Sequence, residues 1–301
     1  MTKKSITLLL SVLLLPVLLH ARVEGHFDRT LNVSGVVHLD LATGSGDITI
    51  KAGSSNQVVV HGSISSNGWF SSSDSVVHQI ESDPPIQQNG NDIRIGYSLP
   101  EDAKRHVSIS YEVTVPADAA VQAHSGSGNV NVEGVRGEVQ AQTGSGDIRL
   151  RDLGSRAHAQ TGSGGIRAQD VAAPFYAHTG SGDIDAALTG SGDVDIQTGS
   201  GSVQLRGVKG GLRARSGSGN ISADGSVTGP WQLHTGSGNI RMAVGSGGGF
   251  NLAVHASSGS IHSDLPITVQ GSLGKHELKG AVRGGGPEVE VSTGSGDVEI
   301  R

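Results

Sequence analysis

The sequence predicts an all-β protein folded as a parallel β-solenoid (β-helix) with coils of about 18 residues, which we expect to be right-handed. Three observations lead to this fold class. A Gly-Ser-Gly motif recurs at a nearly constant interval, and apolar residues alternate with polar ones between its copies. Glycine, with 47 of the 301 residues, is about twice as frequent as its usual ~7%. Regular tight turns joined by short alternating strands are typical of stacked coils.

The interval is measured between the serines of the Gly-Ser-Gly cores, which stand 18 or 19 residues apart through the middle of the chain. An early copy, TGSGDITI, lies at Thr43–Ile50, and an extra copy is centred on Ser191, halfway between two others. One coil of two strands and two turns fits this period. The regular cores contain Ser127, Ser145, Ser163, Ser181, Ser200, Ser218 and Ser237, and later copies contain Ser258 and Ser295.

Apolar residues occupy every second position within each period, which indicates strands with one buried face. Ile148 and Leu150 take matching places to Ile166 and Ala168 one period later. The large aromatic residues Phe175 and Trp231 share one repeat position, so we expect them to fill the core and not to stack on a ligand. About ten coils from residue 121 onward would make a rod of ~50 Å.

The sequence divides into three parts. Residues 1–21 read as a signal peptide, residues 22–120 as irregular N-terminal coils, and residues 121–301 as the regular repeat. Three strands are predicted in the second part, at residues 56–62, 92–99 and 107–116. Between the first two, Ser63–Ser75 reads as a long exposed loop. Its Trp69 and Phe70 are two large apolar residues in a polar stretch, so they form either a contact surface or a plug on the solenoid end.

The signal peptide prediction rests on Lys3 and Lys4, the apolar run that follows them, and Ala21 at its end. Cleavage there would lower the formal net charge from −6 to −8, because residues 1–21 contain no acid. We therefore expect an exported protein of the periplasm, cell surface or medium, without an integral membrane segment after cleavage. The chain has no cysteine, so backbone pairing must hold it together. The acidic balance disfavours nucleic acid as a partner.

The repeated turns favour structure over catalysis. The position after Gly-Ser-Gly accepts Asn129, Gly165 and Ser202 as well as aspartate, which suits turn formers better than calcium ligands. Some nine equivalent serines cannot each have the base and oxyanion site that a nucleophile needs. We read them as turn residues that could form a hydroxyl ladder. The sequence thus predicts no catalytic, metal or cofactor residues.

Two side-chain groups remain as weaker candidates. One outward repeat position holds His124, His178, His234 and His255; only the last two would come from consecutive coils, and two histidines make a poor metal site. A surface patch that titrates near neutral pH stays open as an alternative. The densest acidic stretch would suit a polysaccharide lyase or hydrolase, although Arg149, Arg151 and Arg213 are scattered. Its carboxylates are Asp183, Asp185, Asp193 and Asp195.

The segment VPADAAVQAHSGSGNVNV (Val115–Val132), the recurring S-G-[DN]-[IV] turns and the ending GGGPEVEVSTGSGDVEIR resemble the bacterial putative-adhesin domain family. The resemblance runs from about Phe27 to Arg301. It implies a domain of unknown function with a pectin-lyase-like β-helix, an exported and non-enzymatic protein of the cell envelope, and no catalytic residues to transfer.

These observations predict an adhesin-like, non-catalytic module that binds or supports a surface. Its expected partner is a surface glycan or an envelope protein. The alternatives are a polysaccharide-acting β-helix enzyme and an envelope-stress scaffold that binds another protein. The strand-like ending GDVEIR has no cap of its own, so self-association through the solenoid ends is also expected.

Overall fold

A computed structural model of the chain describes residues 23–53, 56–66, 73–99, 107–269, 274 and 276–301. These residues form 25 strands and one helix, and all the strands belong to one continuous sheet. Most of the strand pairs are parallel, and the sheet winds back over itself as a β-helix-like stack. The all-β prediction is confirmed, whereas the handedness of the coil stays a prediction.

Each coil contains two strands on opposite sides of the apolar interior, joined by the Gly-Ser-Gly turn. We call the strands that lead into this turn the pre-turn sheet. They pair in parallel from coil to coil. The pre-turn strands are β2 (His38–Thr43), β8 (Ala120–Ser125), β10 (Val139–Thr143), β12 (Ala157–Thr161), β14 (Phe175–Thr179), β16 (Val194–Thr198), the second halves of β17 (Val203–Ser218) and β18 (Ile221–Ser237), β20 (Phe250–Ser258) and β24 (Glu288–Ser295).

The strands that leave the turn form the post-turn sheet, which is also parallel from coil to coil. Its register shows the period directly, because Ile148 lies opposite Ile166 and Ile166 opposite Ile184. The post-turn strands are β3 (Ile48–Gly53), β9 (Val130–Glu133), β11 (Ile148–Leu153), β13 (Ile166–Val171), β15 (Ile184–Leu188), the first halves of β17 and β18, β19 (Ile240–Val244), β21 (Ile261–Ser263) and β25 (Val298–Ile300).

The interior between the two sheets holds the alternating apolar residues that the sequence predicts. Val, Ile, Leu and Ala from both sheets are buried along the length of the stack. Phe175 and Trp231 are fully buried, which confirms their predicted place in the core. The Trp231 indole N–H donates a hydrogen bond to the Gly210 carbonyl at 3.0 Å, so its polar atom is satisfied inside the core.

The N-terminal end differs from the predicted coils, because only β2 and β3 form one. Strand β4 (Gln57–Ser66) pairs antiparallel with β1 (Val23–Asn32) on one side and with β7 (Val107–Pro116) on the other, and β7 then joins β3 in parallel. A hairpin of β5 (Ile86–Asn89) and β6 (Asp92–Ile95) extends the other sheet beyond β2. Successive coils of a solenoid pair in parallel, whereas these strands run antiparallel to their neighbours, so they do not wind as coils. The division of the chain at residue 120 stays a prediction.

Helix α1 (Ser73–Ser82) packs on β1 and β4 and closes this end of the interior. Its Val77 and Ile80 are buried, and the Glu81 carboxylate accepts a hydrogen bond from the backbone N–H of His26 at 3.0 Å. The predicted loop at Ser63–Ser75 is therefore wrong at both ends, since Ser63–Ser66 continue β4 and Ser73–Ser75 begin the helix. Trp69 and Phe70 lie outside the described residues.

The C-terminal coil does not lie at the end of the stack. Strand β24 pairs with β18 on one side and β20 on the other, and β25 pairs with β19 and β21. The expectation of an uncapped final strand is wrong, because β25 is paired on both sides and its Ile300 is fully buried. Beyond β20, the antiparallel strands β23 (Glu277–Val282) and β22 (Ile267–Val269) continue the pre-turn sheet. Self-association through the ends stays a prediction.

Candidate functional site

The repeated turn forms the first candidate site, and its threonine carries most of the bonding. The Thr161 hydroxyl donates to the Gly146 carbonyl of the preceding coil at 2.8 Å and accepts from the Gly164 N–H of its own turn at 3.2 Å. Thr143 and Thr179 repeat this pattern one coil away on either side. The ladder of hydroxyls therefore exists, but it is built by the buried threonines, whereas Ser145, Ser163 and Ser181 point to solvent.

Where the residue after a regular Gly-Ser-Gly core is Asp or Asn, its side chain bonds a backbone N–H of a neighbouring coil. The Asn129 Oδ1 atom accepts from the Asp147 N–H at 3.0 Å, and the Asp147 Oδ1 atom accepts from the Gly165 N–H at 3.0 Å. Carboxylate and amide serve equally here because both offer an oxygen acceptor. The prediction of a structural turn agrees with these contacts. Within the described ranges, no cluster of three His, Asp or Glu residues could hold a metal ion.

The glycines of the turn are needed for close approach between coils. A Cβ atom on Gly164 would lie 1.9 Å from the Gly146 carbonyl oxygen, and one on Gly182 would lie 1.9 Å from the Gly164 oxygen. Neither glycine has a positive φ. At these two positions the close approach of stacked backbones, and not a left-handed conformation, accounts for the glycine. We call the buried Thr or Ser, the two glycines and the following residue of each turn the turn column.

The outer surface of the pre-turn sheet carries the second candidate site, which spans four consecutive coils from β8 to β14. Two outward positions per strand place side chains in two parallel rows, in register from coil to coil. We call these eight side chains the neutral polar patch. They are Gln122, Gln140, His158 and Tyr176 in one row and His124, Gln142, Gln160 and His178 in the other.

The hydrogen-bonding groups of the neutral polar patch lie on the outer side of the sheet. Among the described residues, none of its eight side chains makes a hydrogen bond or an ion pair, and the one ring contact joins His158 to Tyr176 edge to face at 6.4 Å. All eight are at least partly exposed. The row beside the turn lines a shallow groove of about 450 Å³. The patch therefore presents unpaired donors and acceptors to a ligand.

The post-turn surface of the same coils is different. Its outward positions carry Arg149 and Arg151 on β11, and these arginines pair with Asp147 at 3.0 Å and Glu133 at 3.7 Å. One rod thus has a neutral, unpaired face and a charged face whose side chains largely bond one another.

Ion-paired groups bound one row of the neutral polar patch, from Gln122 to Tyr176, at both ends. On the β2 side, the Tyr97 hydroxyl donates to Asp40 at 2.6 Å, and the Arg94 guanidinium lies 4.5 Å from the centre of the Tyr97 ring. Burial, together with this hydrogen bond, raises the pKa of Tyr97 to about 12, so it remains a donor at neutral pH. On the β16 side, Asp195 lies 3.8 Å from Arg213.

The acidic stretch is not gathered into one site. The Asp183 carboxylate accepts the Ser202 N–H at 2.7 Å in the turn column. Asp185 pairs with Arg206 at 2.7 Å on the post-turn surface, whereas Asp193 and Asp195 lie beside Tyr176 on the pre-turn surface. The interior of the rod separates these two surfaces.

The histidine positions point outward as predicted, but His234 and His255 are not neighbours. Ser292 of the inserted β24 lies between them, and its hydroxyl is 2.8 Å from His234 Nδ1. The sequence identified the row containing His124 and His178 but missed the parallel row. That second row could have been found, because Gln122 and Gln140 stand two residues before the recognised position in each repeat.

The described residues contain no helix long and apolar enough to cross a membrane. The chain resembles several solved structures, including the following three. A putative adhesin from Bacteroides fragilis NCTC 9343 is 13% identical, with 92% of this chain and 97% of that chain covered and a TM-score of 0.36. A putative cell adhesion protein from Clostridium sporogenes ATCC 15579 is 12% identical, with 92% and 98% covered and a TM-score of 0.23.

The third structure is a putative lipid binding protein from Parabacteroides distasonis ATCC 8503, which is 12% identical, with 92% and 97% covered and a TM-score of 0.44. No curated protein matches the chain. The family model described as Toastrack DUF4097 matches residues 36–301, which span the whole stack from β2 to β25. The chain therefore belongs to the Toastrack DUF4097 family.

Proposed function

We propose that this chain is an exported, adhesin-like and non-catalytic binding module that holds a surface glycan on the neutral polar patch. The observation that carries the proposal is the set of eight partly or fully exposed side chains whose donors and acceptors are unpaired among the described residues. A glycan offers hydroxyl groups that both donate and accept, which is what amide, imidazole and phenol groups can bind.

The rigidity of the support favours binding. Each patch side chain stands on a strand paired on both sides, from β8 through β14, and each coil is tied to the next through the turn column. Side chains on such a backbone are held in place before the ligand arrives, so little backbone entropy is lost on binding.

The export part of the proposal rests on the leader-like sequence around Lys3, Lys4 and Ala21. A compact stack without cysteine suits an exported protein that needs no oxidation to fold. Fractionation of cells that express the full chain tests this part: the mature protein should be outside the cytoplasm and begin near Arg22.

Binding should be tested with the purified mature chain on an array of envelope and host glycans, with product analysis of every glycan that binds. Binding without cleavage is the expected result. Cleavage of a polymer would overturn the non-catalytic assignment, and the acids Asp193 and Asp195 beside Tyr176 would then be the first to replace.

One coil offers a matched pair of variants. Gln140→Ala with Gln142→Ala removes one rung of the patch, whereas Arg149→Ala with Arg151→Ala removes two outward side chains from the opposite face of the same coil. The first variant should lose binding about tenfold or more, and the second should bind as wild type does. Equal binding by both variants would place the site elsewhere.

A further inference from the structure

We infer that the ligand of the neutral polar patch is a linear, uncharged polysaccharide that lies along the axis of the rod, with about one sugar over each coil. This inference rests on the proposed function and adds the class and the direction of the ligand. It follows from the spacing, the chemistry and the boundaries of the patch.

The spacing of the patch favours a ligand that repeats along the axis. In-register strands stand about 4.8 Å apart, so four coils place matching side chains over ~15 Å. Gln122, Gln140, His158 and Tyr176 form one such row, and the row from His124 to His178 runs beside it. An extended chain of sugars presents its hydroxyls with a similar short repeat.

A ligand that lies along a single strand, at right angles to the axis, would meet much less of the patch. Two outward positions on one strand are separated by only ~7 Å, and each strand contributes two patch side chains, such as Gln140 and Gln142 on β10. A ligand along one strand therefore contacts only a few of the patch side chains, whereas an axial ligand contacts up to eight.

The composition of the patch excludes several other ligand classes as good partners. It contains no Lys or Arg, which a nucleic acid or an acidic polysaccharide would need, and no Asp or Glu for a basic ligand. It contains no aliphatic side chain, whereas the core of a protein interface is apolar. Amide groups that can both donate and accept fit neutral hydroxyls.

The row beside the turn continues past His178 with Gln197 on the next coil. Charged side chains, in contrast, end the row from Gln122 to Tyr176 on both sides and so set the expected length of the site. Beyond Tyr176 the same row continues with Asp195 and Arg213, and before Gln122 it meets Asp40. These side chains are already paired with one another or with Arg94 and Tyr97. The gain in affinity per added sugar should therefore be large up to about four sugars and small beyond.

The experiment measures the affinity of the mature chain for three neutral β-1,4-linked series, of glucose, N-acetylglucosamine and mannose, from two to eight sugars by calorimetry. A matched series of uronic acid oligomers serves as the charged comparison. For at least one neutral series, the affinity should rise about tenfold or more between two and four sugars. It should then flatten and change little between low and high salt.

Variants test the direction of the ligand. His158→Ala with Gln160→Ala removes an inner rung, which should weaken four-sugar and longer ligands strongly and abolish much of the gain with length. Arg149→Ala with Arg167→Ala, on the opposite face of the adjoining coils, should leave both affinity and length dependence unchanged. An affinity that is independent of length would overturn the axial direction.

The outcomes separate this inference from the proposed function. If the glycan array shows binding that the patch variants abolish, but none of the neutral linear series binds, the inference is overturned and the proposed function stands. Preference for the uronic acid series would overturn the uncharged class. If no glycan binds at all, both fail.

Discussion

The turn column and the neutral polar patch are both columns of polar residues repeated once per coil, yet their bonding is opposite. In the turn column, the Thr161 hydroxyl and the Asp147 carboxylate form hydrogen bonds with backbone groups of neighbouring coils. In the patch, Gln140 and Gln160 stand one coil apart with their amide groups free of protein partners among the described residues. Repetition alone therefore does not tell a structural residue from a binding residue.

The difference arises from the side of the strand on which the residue lies. Thr161 ends its strand pointing inward and is 1% exposed, so an unbonded hydroxyl there would carry the full cost of desolvation. Gln160 precedes it and points outward, where water satisfies its amide. Changes in the turn column should therefore alter stability, whereas changes in the patch should alter binding.

Gly164→Ala is the strongest test of the structural role of the turn column. The added methyl group would stand 1.9 Å from the Gly146 carbonyl oxygen, and neither backbone can move without separating two coils. We expect the free energy of unfolding to fall by at least about 3 kcal/mol, at the upper end of overpacking costs. Thermal unfolding followed by circular dichroism measures the loss.

Gly247→Ala is the matched control for this prediction, because a Cβ atom at Gly247 would meet nothing within 4 Å. Its unfolding midpoint should stay close to that of wild type. If Gly164→Ala were equally silent, close approach between coils would not be the reason for glycine in the turn.

Thr161→Val should have the next largest effect. Valine keeps the shape of the side chain but removes the oxygen that bonds Gly146 and Gly164, which leaves a buried carbonyl and a buried N–H unsatisfied. The expected loss of stability is about 2 kcal/mol. The rate of hydrogen exchange at the Gly164 amide should rise by the factor that corresponds to this loss of about 2 kcal/mol.

Thr161→Ser separates the hydroxyl from the methyl group. Ser125 and Ser216 fill the same place in other coils and donate to Gly46 and Gly201 at 2.9 Å, so the serine variant should retain most of the stability. A serine variant as unstable as the valine variant would assign the effect to packing and not to the hydrogen bonds.

Gln140→Ala with Gln142→Ala should show the opposite behaviour to the turn variants. Both amides are on the outside of the sheet and bond no protein group among the described residues, so the free energy of unfolding should change by no more than about 0.5 kcal/mol. Chemical denaturation measures this change. A loss above about 1 kcal/mol would mean that the patch is part of the structure, and the comparison with the turn column would fail.

The sequence was sufficient to predict the coil but not the order in which the coils stack. The 18-residue interval and the alternation of inward residues such as Ile148 and Ile166 are local properties that recur in every repeat. The position of β24 between β18 and β20 is not local, since every coil carries nearly the same turn and could stack on any other. The antiparallel end was missed because β1 and β4 pair across a long separation in sequence.

Only one of the two rows of the neutral polar patch was predicted from the sequence, for a related reason. The row with His124 and His178 was found because histidine stands out in a glycine-rich sequence, whereas Gln122 and Gln140 are unremarkable until the register places them side by side. The alternation of the strand through Ala157 and Ala159 continues to Thr161, so the buried side of the threonine could have been predicted from the sequence. Alternation fixes the faces of a strand, but a turn changes the direction of each side chain.

Asp297 offers the smallest and most specific test of the turn column. Its Oδ1 atom accepts from both the hydroxyl and the N–H of Ser260, at 2.7 and 2.8 Å, and these bonds hold the pKa of Asp297 below its ordinary value of 3.8. A depressed pKa in the folded state contributes stability above the unfolded value. That contribution should disappear as the pH falls from about 4 through the folded pKa.

Two variants at Asp297 separate charge from bonding. Asp297→Asn keeps an oxygen acceptor that does not titrate, so its stability should fall less than that of wild type between pH 6 and pH 2.5. Asp297→Ala removes the acceptor at every pH, so it should be less stable than wild type at pH 6 and approach it at pH 2.5. If all three proteins lost stability in parallel with acid, the carboxylate would have no bonding role, because protonation should weaken the hydrogen bonds that the charged carboxylate accepts.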